Sequence, residues 1–129
     1  MPPERKLFIV DDDTDDIDFF QEVLHDMNSN ITCSVALNGE TALKLLKDPK
    51  NELPDYIFVD LNMPRINGKQ LLKEIKSTDS LKHIPVIIYS TTGAESDINE
   101  IKRLGAKTFL IKPTRRDELM KQLKTIFNS

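Results

Sequence analysis

The chain has 129 residues, with 21 acidic and 18 basic side chains and a net charge of −3, a length that suits one domain able to bury roughly two-thirds of its unfolded surface without disulfides or a structural metal. Its one cysteine, Cys33, excludes an internal disulfide and a cysteine-based zinc site. No apolar run approaches the roughly 20 residues of a membrane span and Met1-Pro2-Pro3-Glu4-Arg5 lacks the form of a signal peptide, so a cytoplasmic protein is expected.

Lys6-Leu7-Phe8-Ile9-Val10 reads as a buried strand. Ile17, Phe20, Leu24 and Met27 then follow helical spacing, with Asp13 or Thr14 as the N-cap. Ile31 to Leu37 is a second, more polar strand suited to a sheet edge, and places Cys33 as a small core residue. It ends in Asn38-Gly39, which reads as a plain turn before a short helix from Thr41 to Lys47 carrying Ala42, Leu45 and Leu46. Tyr56-Ile57-Phe58-Val59 is a third strand, followed by a helix marked by Leu71, Leu72 and Ile75. Val86-Ile87-Ile88-Tyr89 is a fourth, and Ala94, Ile98, Ile101 and Leu104 mark the next helix, closed by Gly105 at a C-cap. The fifth strand is Thr108-Phe109-Leu110-Ile111. Thr114, with Asp117 three residues on, looks like the cap of a last helix bearing Leu119, Met120, Leu123, Ile126 and Phe127. β-Branched and aromatic content favours strands for the five short runs. Five strands alternating with five helices predict an α/β fold, a doubly wound parallel sheet covered on both faces. No repeat, low-complexity tract or linker interrupts it.

In an open α/β sheet, ligands bind beyond the carboxyl ends of the strands. Asp11 and Asp12 follow the first apolar run, Asp60 the third, Ser90 the fourth and Lys112 the fifth. Clustered carboxylates repel one another and need a cation or a proton to coexist. Hard oxygen ligands suit Mg²⁺, which shares its shell with phosphate oxygens, and a lysine supplies a point charge for an anion. A carboxylate can also act as a nucleophile and form an aspartyl-phosphate. These residues together describe a Mg²⁺-assisted phosphoryl site. Charge is divided to match: residues 1–64 carry −9 and residues 65–129 carry +6. That split argues against a uniformly basic nucleic-acid binder.

At these residues the sequence resembles the receiver domain of two-component response regulators, of the stand-alone chemotaxis-regulator kind. The matching pieces are Phe8-Ile9-Val10-Asp11-Asp12, the run Asp55 to Pro64 with Gly68, Pro85 to Ser90, and Phe109-Leu110-Ile111-Lys112-Pro113. The resemblance implies a flavodoxin-like (βα)5 sheet of strand order 2-1-3-4-5, with residues 1–129 a single receiver and no output domain. It implies that Asp60 accepts phosphate from the phosphohistidine of a sensor histidine kinase or histidine phosphotransfer protein. Asp12 would bind Mg²⁺ directly, Asp11 through water, Asp60 as ligand, and Asn62 through its backbone carbonyl. Ser90 and Lys112 would hold the phosphoryl oxygens. Phe109 stands at the switch aromatic, and Ser90 at the switch hydroxyl. The face of the fourth helix, fifth strand and fifth helix would then change its preference for a downstream protein target. The Lys112-Pro113 bond is cis in relatives. A signalling module is implied rather than an enzyme, monomeric or weakly dimeric, without direct nucleic-acid or membrane binding. Thr91 stands where a small residue is common, and Asn62 and Thr92 occupy positions that tune phosphoryl lifetime.

Plainer readings cover the remaining polar residues. Asp13, Asp15, Asp16 and Asp18 complement the dipole of the helix they open. His25 and His83 are surface residues without a role. Lys102, Arg103, Lys107, Arg115 and Arg116 form a solvated face. Two other functions compete. One is an aspartate phosphatase of the haloacid dehalogenase type, to which Asp11 to Asp15 bears a partial likeness. However, Asp15 replaces the hydroxyl residue expected there. The other is a degenerate receiver that binds partners without phosphorylation, against which Asp12, Asp60 and Lys112 stand intact.

Overall fold

The computed structural model describes residues 5–27 and 30–128. Residues 1–4, read above as no signal peptide, lie outside that set. The chain runs β1(Arg5–Val10), α1(Thr14–Met27), β2(Ile31–Ala36), α2(Gly39–Lys47), β3(Tyr56–Val59), α3(Gly68–Ser77), β4(Val86–Ser90), α4(Glu95–Arg103), β5(Thr108–Ile111) and α5(Arg116–Phe127). The five strands form one parallel sheet in the order β2-β1-β3-β4-β5, as predicted.

Strand side chains alternate across the sheet, and each face has its own core. Leu7, Ile9, Phe58, Ile87 and Tyr89 pack with Phe20, Val23 and Leu24 of α1 and Leu119, Leu123 and Ile126 of α5. Phe20, Phe58 and Tyr89 meet edge to face, with centroids 5.0, 5.7 and 6.3 Å apart. Phe8, Val10, Ile57, Val59, Val86 and Ile88 face the other way, against Ala42 and Leu46 of α2, Leu71, Leu72 and Ile75 of α3, and Ile101 of α4. Cys33 on edge strand β2 is half-buried beside the first core.

Caps account for several boundaries. Asp13 caps α1, its Oδ1 accepting from the Asp15 and Asp16 amides at 3.0 and 3.3 Å. Asn38-Gly39 is not a plain turn. Asn38 caps α2, accepting from the Thr41 amide at 2.8 Å, and the helix starts two residues earlier than predicted. Asn is a preferred N-cap, so the same dipeptide that suits a turn suits a helix start. β2 ends at Ala36, leaving Leu37 exposed. Gly105 closes α4 in the left-handed region, φ 107°, with Gly105 and Ala106 amides donating to Lys102 and Ile101 carbonyls. Thr114 is not a cap. α5 starts at Arg116 behind Arg115, which makes no side-chain capping bond, and Asp117 and Glu118 instead place negative charge in the first turn. No cis peptide bond occurs among the described residues, so Lys112-Pro113 is trans, the isomer that a prolyl amide still favours by about 0.5–1 kcal/mol.

Candidate functional site at the carboxyl edge of the sheet

Parallel pairing continues one residue past three strands and fixes the backbone of the site. The Asp11 amide donates to the Ala36 carbonyl at 3.1 Å, the Asp60 amide to Val10 at 2.9 Å, and the Lys112 amide to Ser90 at 2.7 Å. Asp11, Asp60 and Lys112 are therefore delivered to one edge by the sheet itself. Gly68 completes the frame, because a Cβ there would lie 2.5 Å from the Asp60 carbonyl oxygen. Only glycine lets the start of α3 come this close to the end of β3.

Asp11 is fully buried and Asp60 is 8% exposed, whereas Asp12 faces solvent. One oxygen from each of these three carboxylates lies within 4.8 Å of the others. Lys112, its side chain 7% exposed, reaches in from the end of β5 with Nζ 2.6 Å from Asp11 Oδ2 and 3.6 Å from Asp60 Oδ2. Asp11 Oδ1 accepts from the Asp13 amide at 3.0 Å, and Asp60 Oδ1 from the Asn62 amide at 3.3 Å. Burial pushes the Asp60 carboxyl up to about 6; Lys112 opposes that shift and the negative Asp11 adds to it. Burial disfavours the Lys112 ammonium, but its bonds to Asp11 and Asp16 outweigh it and hold the group above the ordinary lysine range.

This donor set fits a hard divalent cation. It offers oxygen ligands only, two of the three carboxylates are out of solvent, and one ammonium cannot balance them. Ser90 is fully buried and its Oγ has no hydrogen-bond partner. A buried hydroxyl without a partner is costly unless something it can bond arrives.

Residues 7–124 match the family described as the response regulator receiver domain. The chain belongs to this family of two-component signalling proteins. Among curated proteins, this receiver domain is similar to the chemotaxis protein CheY-3 of Vibrio cholerae, 34% identical over 95% of this chain and 91% of that one. Among solved structures, it resembles the phosphorylated cyanobacterial phytochrome response regulator RcpA, with TM-score 0.86 and 31% identity over 96% and 91% of the two chains. It also resembles the Mn²⁺-bound response regulator Rcp1, with TM-score 0.83 and 28% identity over 95% and 91%.

The receiver brings together Asp11, Asp12, Asp60 and Lys112, with the Asn62 backbone alongside. Phe109 on β5 is half-buried and packs against the core on the α2–α4 side. A Cβ on Gly93 would meet its ring at 2.5 Å, so the loop before α4 makes room for this aromatic with a glycine. Thr91 and Thr92 are exposed, as are His25, His83, Lys102, Arg103, Lys107, Arg115 and Arg116. Burial pushes the Cys33 thiol up to about 12. Among the described residues, no helix is long and apolar enough to cross a membrane.

Two contacts lay beyond sequence reasoning. Asp16, read as a helix-dipole acid, lies with Oδ2 2.8 Å from Lys112 Nζ. Its signal was weak: the third residue of a helix that follows the first strand is aimed across the sheet edge only once β5 is known to lie there. Lys69 on α3 pairs with Asp97 at 2.6 Å and Glu100 at 2.8 Å on α4. Nothing in the spacing of 28 and 31 residues announces that contact.

Proposed function

We propose that Asp60 is the phosphoacceptor of a cytoplasmic receiver, taking its phosphoryl group from a phosphohistidine of a sensor kinase or histidine phosphotransfer protein. In the transfer an Asp60 oxygen forms the new bond to phosphorus, the nitrogen–phosphorus bond breaks, and the leaving imidazole nitrogen keeps its electron pair. Mg²⁺ is the cation this reading requires, and the phosphorylated RcpA and Mn²⁺-bound Rcp1, which this chain resembles, support the reading. Asp12 and Asp60 would hold it with the Asn62 carbonyl, and Asp11 through water. When bound, it neutralises negative charge on the carboxylates and on the transferring group.

The protein's own residues do the rest. Lys112 donates to a phosphoryl oxygen from a backbone already fixed by β4. Ser90 Oγ, buried and unpartnered, gains the acceptor it lacks. Movement of Ser90 and Phe109 then alters the α4–β5–α5 surface for a downstream protein target. On this reading the molecule is a monomer or weak dimer, and is no enzyme beyond its own phosphorylation and dephosphorylation.

The convergence of a buried Asp60 with Lys112 and two further aspartates carries this reading. Incubation with acetyl phosphate and Mg²⁺ followed by peptide mapping tests it. One phosphoryl group should appear on Asp60, and Asp60→Asn should abolish it. Labelling of Asp11 would instead support an aspartate phosphatase, and an unlabelled protein would support a degenerate receiver.

A further inference from the structure

Lys112 has three N–H donors. Asp11 and Asp16 lie 2.6 and 2.8 Å away, but Asp60, the group it would serve after phosphorylation, is 3.6 Å away. Asp11 sits at the end of β1, and its second oxygen is held by the Asp13 amide. Asp16 is different. It belongs to α1, its amide is tied to the cap residue Asp13, and its side chain is 34% exposed. The Lys112 backbone is tied to Ser90. Both ends of the Lys112–Asp16 bond are therefore anchored, and the bond draws the ammonium toward α1.

We propose that Asp16 is a positioning residue that parks Lys112 away from Asp60 and competes with the phosphoryl group for the position of its ammonium. This deepens the phosphoacceptor reading and rests on it. Capture of a phosphoryl group must weaken or stretch the Lys112–Asp16 bond, so Asp16 lowers the site's hold on that group. Its carboxylate is close enough to repel an incoming anion as well, and a test must separate the two effects. Asp15 makes the separation possible. It is the neighbouring residue in the same helical turn, it is exposed, and it carries the same charge without an ion pair to Lys112.

The experiment is calorimetric titration of the full chain with beryllofluoride, a phosphoryl mimic, in saturating Mg²⁺. Asp16→Asn should bind it about 3- to 10-fold more tightly than wild type, the range expected for releasing a partly exposed ion pair. Asp15→Asn should stay within about twofold, since a charge without contact is largely screened. Asp16→Glu, which keeps the charge and can still reach, should remain near wild type. In parallel, the ¹⁵N ammonium resonance of Lys112 should move in Asp16→Asn and not in Asp15→Asn. Equal affinities for the two asparagine variants, or weaker binding by Asp16→Asn, would overturn the proposal while leaving the phosphoacceptor reading intact. A wild type that ignores beryllofluoride would overturn both.

Discussion

Each strand-end residue of the site was legible because an apolar run stops at a charged or hydroxyl residue. Asp11, Asp60, Ser90 and Lys112 needed only the rule that parallel strands present their carboxyl ends together. Asp16 and Gly93 were not legible, since their roles depend on which distant side chain comes to rest beside them. The cost of burying a carboxylate is itself testable at one residue. The Asp60 carboxyl rises from 3.8 to about 6 on folding, chiefly through burial. An acid whose folded value is raised weakens the fold when it ionises. That cost is absent below the unfolded value, grows between the two, and is complete above about 6. Asp60→Asn removes it. In metal-free buffer the variant should be more stable than wild type by about 1–3 kcal/mol at neutral pH, with the advantage vanishing near pH 4. Urea unfolding across that range measures it. An advantage that does not change with pH would show that Asp60 ionisation is not its source.

Among the elements, α4 is the least anchored. It buries only Ile101, and its N-cap Ala94 makes no side-chain capping bond. α3, by contrast, opens with a full capping box between Asn67 and Gln70. The periodicity of Ile98, Ile101 and Leu104 was enough to predict that α4 exists, but not how lightly it is held. The helix starts were misread at Asn38, taken for a plain turn, and at Thr114, taken for a cap. Where a helix starts depends on where the preceding strand releases the chain, which a polar residue near the boundary does not by itself reveal. Lys69 supplies what α4 lacks, binding Asp97 near its start and Glu100 one turn on. Its ammonium is held above the ordinary range by those two bonds, so the tether persists through neutral pH. Lys69→Met should raise amide hydrogen exchange severalfold in α4 while leaving exchange in β1, β3 and β4 unchanged. Uniform loss of protection over the whole chain would mean that Lys69 supports the fold at large rather than α4.

Over the whole molecule, the two halves of opposite charge meet at a single edge. The acidic half supplies Asp11, Asp12, Asp16 and Asp60 from β1, α1 and β3, and the basic half supplies Lys112 from β5. One ammonium against four carboxylates leaves the edge short of positive charge. The strands that carry these residues also wall both cores, so stabilisation at the edge is felt by the entire domain. A ligand that binds only the folded state stabilises it by RT ln(1 + [L]/Kd), about 2.7 kcal/mol at 100 times Kd. For a domain of this size that corresponds to a rise in Tm of roughly 5–15 °C. Mg²⁺ titrated into the metal-free protein should therefore raise Tm in a saturating manner. Sodium chloride at matched ionic strength should do less, because screening weakens the repulsion without occupying the site. In Asp60→Asn the Mg²⁺ response should shrink, since one proposed ligand is gone and the charge deficit is smaller. An equal rise with sodium chloride would mean that the cluster is relieved by screening alone, and that the acidic edge holds no cation.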